Sequence, residues 1–538
     1  MSGFFYLFTP KLLISKFYFC ASIKSKTLKR LILFPVLAIL IPVLFSGCSS
    51  GFDYSIEPVL NPNNISPLTA VLQIEAEKPV KATVKVLGEI PWEQHFDSSN
   101  TKSEIPVLGL YPDRNNKVAV TLTYEGGEIR DTLEIKTAKT PARFPQIVIN
   151  SIDRSKMAEG MHGCDIHFAN RGKFSSGPMI FDDDGQVRWY LDLSFAGKMV
   201  SPFQRLKDGT LLMVSRHVIY EFDMLGKIVR ETSIDTNYGM HHDVVELPDG
   251  NLLICVGKRN NFIKLDGNYV ESDSDFIILF DRKNSKIVRE WDVAKVLDVS
   301  RKDLNFFRPG DWLHMNGLAY DESDNSIIVS GKNQGLFKIS WNNQLQWILS
   351  PANNWGKSGR NGEGFETAPY LLTAVNSEGE AYPEKVQLGV ESDEEFDFPW
   401  GPHAPELMPE GTLLVFDNGT HRNYDPKIQY SRAVEYSIDE ENSSVKQLWQ
   451  YGKERGQDFF STIVSDVDYL PETDNVLVTS GYLKDKGRLA GKIVEVDRSS
   501  GKEVFEATLY LKSINGNKTR SWGQTDILYR SERMPLRY

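Results

Sequence analysis

The sequence predicts an all-β protein: a six-bladed β-propeller preceded by a small N-terminal β-sandwich of immunoglobulin-like type. Three observations lead there. One hairpin form, a strand, a tight polar turn and an apolar strand, recurs as "QRLKDGTLLMV" (204–214), "VELPDGNLLIC" (245–255), "AYDESDNSIIV" (319–329), "ELMPEGTLLVF" (406–416) and "DYLPETDNVLV" (468–478). A second, outer hairpin follows most of them, as in "IILFDRKNSKIVREW" and "IVEVDRSSGKEVFEA". Four strands per repeat, repeated radially, is the propeller signature, and a β-helix would show a shorter period without long inserts. Third, an extra outer hairpin, "MIFDDDGQVRWYL" (179–191), lacks its own inner hairpin, and the C-terminal "TDILYRSERM" supplies part of one. Five full repeats and one split repeat make six blades, closed by strands from both ends.

The remaining elements follow in chain order. Residues 1–47 hold basic residues and no acidic ones, and the apolar run "LILFPVLAILIPVLFSGC" follows "KSKTLKR". This is the pattern of a signal peptide. The ending "LFSGC" resembles a bacterial lipobox, with Phe45 where leucine is usual, and would make Cys48 the lipidated first residue of an exported, periplasmic chain anchored to the outer membrane. The run is short for a retained membrane span. Residues 48–65 read as a linker. Residues 66–140 carry short alternating strands ("LTAVLQIEA", "KATVKVLG", "KVAVTLTYEG", "IRDTLEIKT") and form the N-terminal domain, and the propeller occupies 145–538. Long inserts at 256–274, 293–312, 351–398 and 417–430 interrupt the repeats, the usual place for a site.

The chain has 538 residues and a formal net charge of -11, which excludes a general nucleic-acid binder, since phosphate binding needs a basic face. Beyond Cys20 and Cys48 only Cys164 and Cys255 remain; they do not make a disulfide framework, and whether they pair is open.

Nine histidines exist in the chain, and three fall at matching places. Counted back from the turn glycine of each repeat, His403 lies eight residues before Gly411, His242 eight before Gly250 and Ser201 eight before Gly209. His314 and Ser465 stand before their own hairpins in the same way. The first strand of each blade lines the channel, so these residues are expected to converge at its mouth. Histidine packs poorly in a propeller core and suits proton transfer, nucleophilic attack or metal binding. Strand alternation selects His242 over His241. Asn316 is two residues after His314 and shares its face. Lys332, in "SGKNQG", brings a cation that suits an anionic ligand. Trp312, Phe398 and Trp400 either wall an aromatic pocket or pack the inserts. Asp417, Asn418, Gly419, His421 and Arg422 read as turn chemistry.

At this point the chain resembles a known family. "HHD" before a "PDG" hairpin, a His-x-Asn pair 18 residues before a basic residue, "WGPH" before "GTLLVFDNG", and "YSRAVEYSIDEENSSVKQLWQYGKERG" are similar to the bacterial arylsulfate sulfotransferases, and "SPLTAVLQIEAE" to their N-terminal β-domain. The resemblance implies transfer of a sulfuryl group from a phenolic sulfate donor to an acceptor phenol, with neither a nucleotide donor nor a cofactor. It implies His403 as a nucleophile that becomes a sulfohistidine, His242 and His314 as catalytic residues that hold the sulfuryl group and handle the proton, and Asn316, Lys332 and Ser465 as substrate-binding residues. Lys332 stands where the family has arginine, keeping the charge and losing the bidentate fork. The family threonine of the last active-site blade is Val464 here, with Ser465 beside it, and the cysteine pair that some members place near the site is missing. Two other classes compete. A metal-dependent propeller hydrolase or lyase would use the histidines as ligands, although few carboxylates fall at ring positions and Lys332 would repel a cation. A non-catalytic envelope lipoprotein scaffold gives no reason for the histidines. Only a lipid anchor would touch the membrane, and a homodimer is compatible with the sequence.

Overall fold

A computed structural model of the chain describes residues 51–170, 173–196, 201–301, 310–513 and 524–538. The leader and Cys48 lie outside the described residues. Among the described residues no helix is long and apolar enough to cross a membrane.

The N-terminal domain is built on one long strand, Ala70–Val86. Its first half pairs with Tyr54–Leu60 and its second half with Asn115–Tyr124, while Trp92–Val107 runs along its other side. Apolar residues alternate along it, and Leu72, Ile74, Val84 and Val86 are buried. The expected linker over 48–65 is corrected here. Residues 54–60 form a strand whose backbone is hydrogen-bonded to the domain, because "YSIEPVL" lies antiparallel to Ala70–Ala76.

Six further sheets of four or five strands follow among the described residues. The recurring hairpins are found where the repeats place them, with first strands Gln204–Arg205, Tyr238–Glu246, Met315–Asp321, Pro402–Leu407 and Asp466–Leu470. Their turn glycines Gly209, Gly250 and Gly411 have φ of 87, 81 and 83, a region costly for other residues. The first strands from Tyr238–Glu246 onward pack against one another in chain order, and Asp466–Leu470 in turn meets the C-terminal strand Ile527–Met534. That C-terminal strand is hydrogen-bonded to Met161–Asn170, a strand the hairpin pattern did not single out. Gln146–Ile152 completes the last sheet by pairing with Lys502–Tyr510. Both chain ends are therefore stitched into sheets whose other strands come from the opposite end.

The inserts are packed structure. The segment before His403 buries Leu372, Val386, Phe396, Phe398 and Trp400 against two sheets. Trp312, Phe398 and Trp400 are buried, so they pack the inserts and do not wall an open pocket. Cys164 and Cys255 are both free and buried, and burial pushes each thiol well above its usual value.

The N-terminal domain is clamped to the first sheet by Arg188. Its guanidinium is fully buried, donates to the carbonyls of Gly109 at 2.6 and 2.9 Å and of Ile90 at 2.7 Å, pairs with Asp182 at 2.8 Å, and stacks 3.7 Å from the centre of the Tyr111 ring. Arg188→Met is expected to lower the stability of the folded chain by about 3–5 kcal/mol, because it strands a buried carboxylate and two carbonyls. Denaturant unfolding checks this, and a loss below about 1 kcal/mol would show that the clamp carries little.

Candidate active site

The three histidines come together where their strands depart from regular β geometry. His242 and His314 have φ of 52 and 49, Ala404 beside His403 has 49, and Val464 and Ser465 have 56 and 91. Strand register breaks between Met240 and Val244, between Met315 and Gly317, and between His403 and Glu406. Such bulges re-aim side chains and cluster at functional sites. Here they recur at the same place in successive first strands. They also correct the alternation argument. His241 does not turn to the opposite face: its Nδ1 lies 2.9 Å from Nδ1 of His242, and both line one cavity.

The ring centroids of His242 and His314 are 5.1 Å apart. The Tyr529 ring lies 5.8 Å from His403, 6.5 Å from His242 and 4.9 Å from His167, and its hydroxyl donates to the His242 carbonyl at 3.1 Å. Nδ1 of His314 is 2.8 Å from the Asp311 carboxylate, which as an anion can only accept, so that nitrogen carries the hydrogen. The Asn316 amide donates to the Pro402 carbonyl at 2.9 Å, next to His403, and its own oxygen is buried without a hydrogen-bond partner. Lys332 is mostly buried, and its backbone amide donates to the His314 carbonyl at 3.1 Å. Ser465 is buried with its hydroxyl engaged, donating to Ser461 at 3.0 Å and accepting from the Gly481 amide at 3.0 Å; its carbonyl is what lies against His403. Ser201 donates to Asp165 at 2.7 Å.

Electrostatics disfavours a proton on His403, His242 and His241. His403 is 3% exposed, and burial, Arg530, His314 and Lys332 together push its imidazole well below the usual 6.5. Burial and the neighbouring histidines do the same to His242, and His241 is pushed down to about 4. Burial also lowers the Lys332 ammonium, with Asp311 opposing. Nδ1 of His403 is buried with no hydrogen-bond partner, so a lone pair or a hydrogen remains uncommitted there.

Carboxylates are more plentiful than the sequence reading allowed. Asp243 and Asp466 directly follow ring positions, Glu406 and Asp468 stand three residues beyond theirs on the first strands, and Glu532 joins them from the C-terminal strand. Arg530 sits among them, 3.0 Å from Asp243, whose second oxygen accepts from the Leu318 amide at 2.9 Å. Burial pushes Asp466 up to about 8 and Glu406 and Glu532 each to about 7. Among the described residues no group of three or more His, Cys, Asp or Glu side chains is arranged to hold a metal ion.

Residues read as turn chemistry hold the approach to His403. Asp417 accepts from the Trp400 amide at 2.8 Å and pairs with Arg422 at 2.7 Å and Arg432 at 2.9 Å. Asn418 donates to the carbonyls of Ser461 at 2.7 Å and Val464 at 3.1 Å, tying this turn to the loop that carries Ser465. Tyr529, Arg530 and Asp311 were not singled out from the sequence, and His241 was set aside there by strand alternation. The first two sit in "TDILYRSERM", already assigned to closure, where a tyrosine-arginine pair in an expected channel strand was the available signal.

A cavity of about 820 Å³ opens beside the histidines, with His242, His167, Ser201 and Tyr529 in its wall and Lys258–Asn260 and Glu271–Ser274 of the first insert on its far side. His314 and His403 do not line it. Their rings lie 5.1 Å from the wall residue His242 and 5.8 Å from the wall residue Tyr529, respectively.

Comparison with known proteins identifies the family. The family model described as arylsulfotransferase (ASST) matches residues 151–520, and the arylsulfotransferase Ig-like domain matches residues 57–138. An arylsulfate sulfotransferase AssT of Lelliottia amnigena is 30% identical over 534 residues, covering 82% of this chain and 87% of that protein. The arylsulfate sulfotransferase AssT of Escherichia coli O6:H1 (strain CFT073) is 29% identical over 541 residues, covering 83% and 88%. The chain thus belongs to the arylsulfotransferase family and is a sulfotransferase enzyme.

Proposed function

We propose that the chain moves a sulfuryl group from a phenolic sulfate ester to an acceptor phenol in two steps through a sulfohistidine on His403, and that the six sheets are blades of one propeller with the histidines at its channel mouth. The observation that carries the reaction is the buried, uncharged His403, a free-base nucleophile beside two other histidines and a lysine. The succession of packed first strands, with chain ends exchanged between the first and last sheets, supports the closed arrangement.

In the first step a ring nitrogen of His403 attacks sulfur in line, the N–S bond forms, the S–O(aryl) bond breaks, and the phenolate leaves with the electron pair. His314 enters this step as an imidazolium, its Nδ1–H held by Asp311, and becomes neutral as it gives the phenolate its Nε2 proton. In the second step the acceptor phenol gives its proton back to His314 while its oxygen attacks the sulfohistidine and the N–S bond breaks. His242, Asn316 and Lys332 stabilise charge on the sulfuryl oxygens. Phenol replaces phenol, so the overall transfer is close to thermoneutral. Ser465 contributes through its carbonyl at His403 and as a support for the loop. Export to the periplasm and lipid anchoring at Cys48 complete the proposal, supported by the basic, apolar and Ser-Gly-Cys pattern of the leader.

Two outcomes test this. On mixing with nitrophenyl sulfate the wild-type chain releases a burst of nitrophenol and gains one sulfuryl group on the peptide containing His403, seen by mass spectrometry. His403→Asn loses burst and adduct, with transfer down by at least about 10³-fold, and full transfer by that variant would refute the nucleophile. The burst rate, with a leaving group that needs little protonation, stays level as pH falls from about 8 to about 6, because His403 holds no proton in that window. A midpoint near the ordinary histidine value in the burst profile of the wild type would show the imidazole to be charged.

A further inference from the structure

The cavity beside the histidines is much larger than a sulfated phenyl ring requires, since about 820 Å³ lies in the range of whole small-molecule sites. Two features of its wall are unexplained by the sulfuryl chemistry. Gly239 and Gly257 face each other as cross-strand partners, and both line the cavity. Neither has the positive φ that demands glycine. A Cβ on Gly239 would meet Nε of Arg216 at 3.2 Å, whereas a Cβ on Gly257 would meet only the Ser274 amide nitrogen at 3.4 Å, an ordinary contact. Gly257 leaves its part of the floor bare, and the Arg216 side chain lies across Gly239. The second feature is charge. Arg216 and Arg259 are exposed at this wall, and neither makes an ion pair or a side-chain hydrogen bond with another described residue. Lys258, by contrast, is locked to Glu290 at 2.7 Å, and Glu271 accepts from the Asn260 amide at 2.9 Å. Asp273 completes the charged lining. Two uncommitted guanidinium forks in a chain of net charge -11 are placed to receive an anion, which arginine binds bidentately.

We propose that this cavity is a subsite for the aryl part of the substrate and selects phenols that carry a second, anionic substituent such as a carboxylate. The phenolic oxygen is at the histidines, the ring passes His242 and Tyr529 onto the Gly239–Gly257 floor, and the anion pairs with Arg216 and Arg259. The inference rests on the sulfotransferase reading and adds the substrate class to it.

The test uses nitrophenyl sulfate as donor and three acceptors of similar size, 4-hydroxyphenylacetate, 4-hydroxyphenylethanol and tyramine. Acceptor kcat/KM is expected to favour the anionic phenol over the neutral one by roughly 2- to 5-fold, the range of partly exposed ion pairs. The double variant Arg216→Gln, Arg259→Gln is expected to abolish that ratio while leaving the burst and the neutral acceptor unchanged. Gly257→Val, which fills the floor, is expected to raise KM for donor and acceptor alike while the burst amplitude at saturating donor is kept. The same selectivity in wild type and double variant, or a preference for tyramine in the wild type, overturns the proposal. Absence of any burst in the wild type would count against the sulfotransferase reading instead. In that event calorimetric binding of 4-hydroxyphenylacetate still decides the subsite: binding lost in the double variant supports it, and binding that is absent or unaltered overturns it.

Discussion

The site depends on the Arg530 guanidinium. It is buried in the C-terminal strand, pairs with Asp243 beside His242, and stands among Glu406, Asp466, Asp468 and Glu532 while facing His403. Without that cation the cluster would consist of carboxylates that repel one another in a medium where charge is expensive. With it, one oxygen of Asp243 is paired and the other receives the Leu318 amide, so the strand of His242, the strand of His314 and the closing strand share one hydrogen-bonded group. The same positive charge disfavours a proton on His403. Structure and reactivity therefore draw on one interaction.

The strain at the ring positions has a related logic. Residues without glycine's freedom adopt left-handed backbone at His242, His314, Ala404, Val464 and Ser465. Each costs on the order of 1 kcal/mol and persists only where the surroundings dictate it. The surroundings here are the Asp417–Arg422–Arg432 network, the Asn418 bridges and the packed insert around Trp400. These buried contacts are far from exotic, yet they deliver His403 to a fixed place.

Periodicity in the sequence was sufficient for the hairpins, because turn glycines and alternating apolar residues are local signals that the sheets obey. Counting from those glycines was also enough to group His242, His314 and His403. It failed at the next level of detail. Alternation separates His241 from His242 only in a regular strand, and a bulge cancels it. The strand "YSIEPVL" looked like linker because its partner lies across a loop, and "MHGCDIHFAN" was passed over because its partner lies at the far end of the chain. The carboxylates around Arg530 were invisible for a similar reason. Glu406 and Asp466 look like solvated strand residues until neighbouring first strands bring them together, with Asp466 beside the Arg530 guanidinium.

The charge pattern also explains how a sulfated substrate and a neutral His403 coexist. Lys332 and Arg530 lie close enough to the imidazoles to disfavour their protonation, and the same field attracts an anionic sulfuryl group into a site from which water is largely excluded. A cation on His403 itself would attract the sulfate equally well but would remove the lone pair that attacks sulfur. Separating the two roles, with fixed positive charge on lysine and arginine and nucleophilicity on histidine, lets the site bind an anion and react with it at the same pH. Lysine in place of a guanidinium serves the first role as a point charge, and the geometric control of the sulfuryl oxygens then falls more heavily on His242 and on Asn316, whose amide is held to the Pro402 carbonyl.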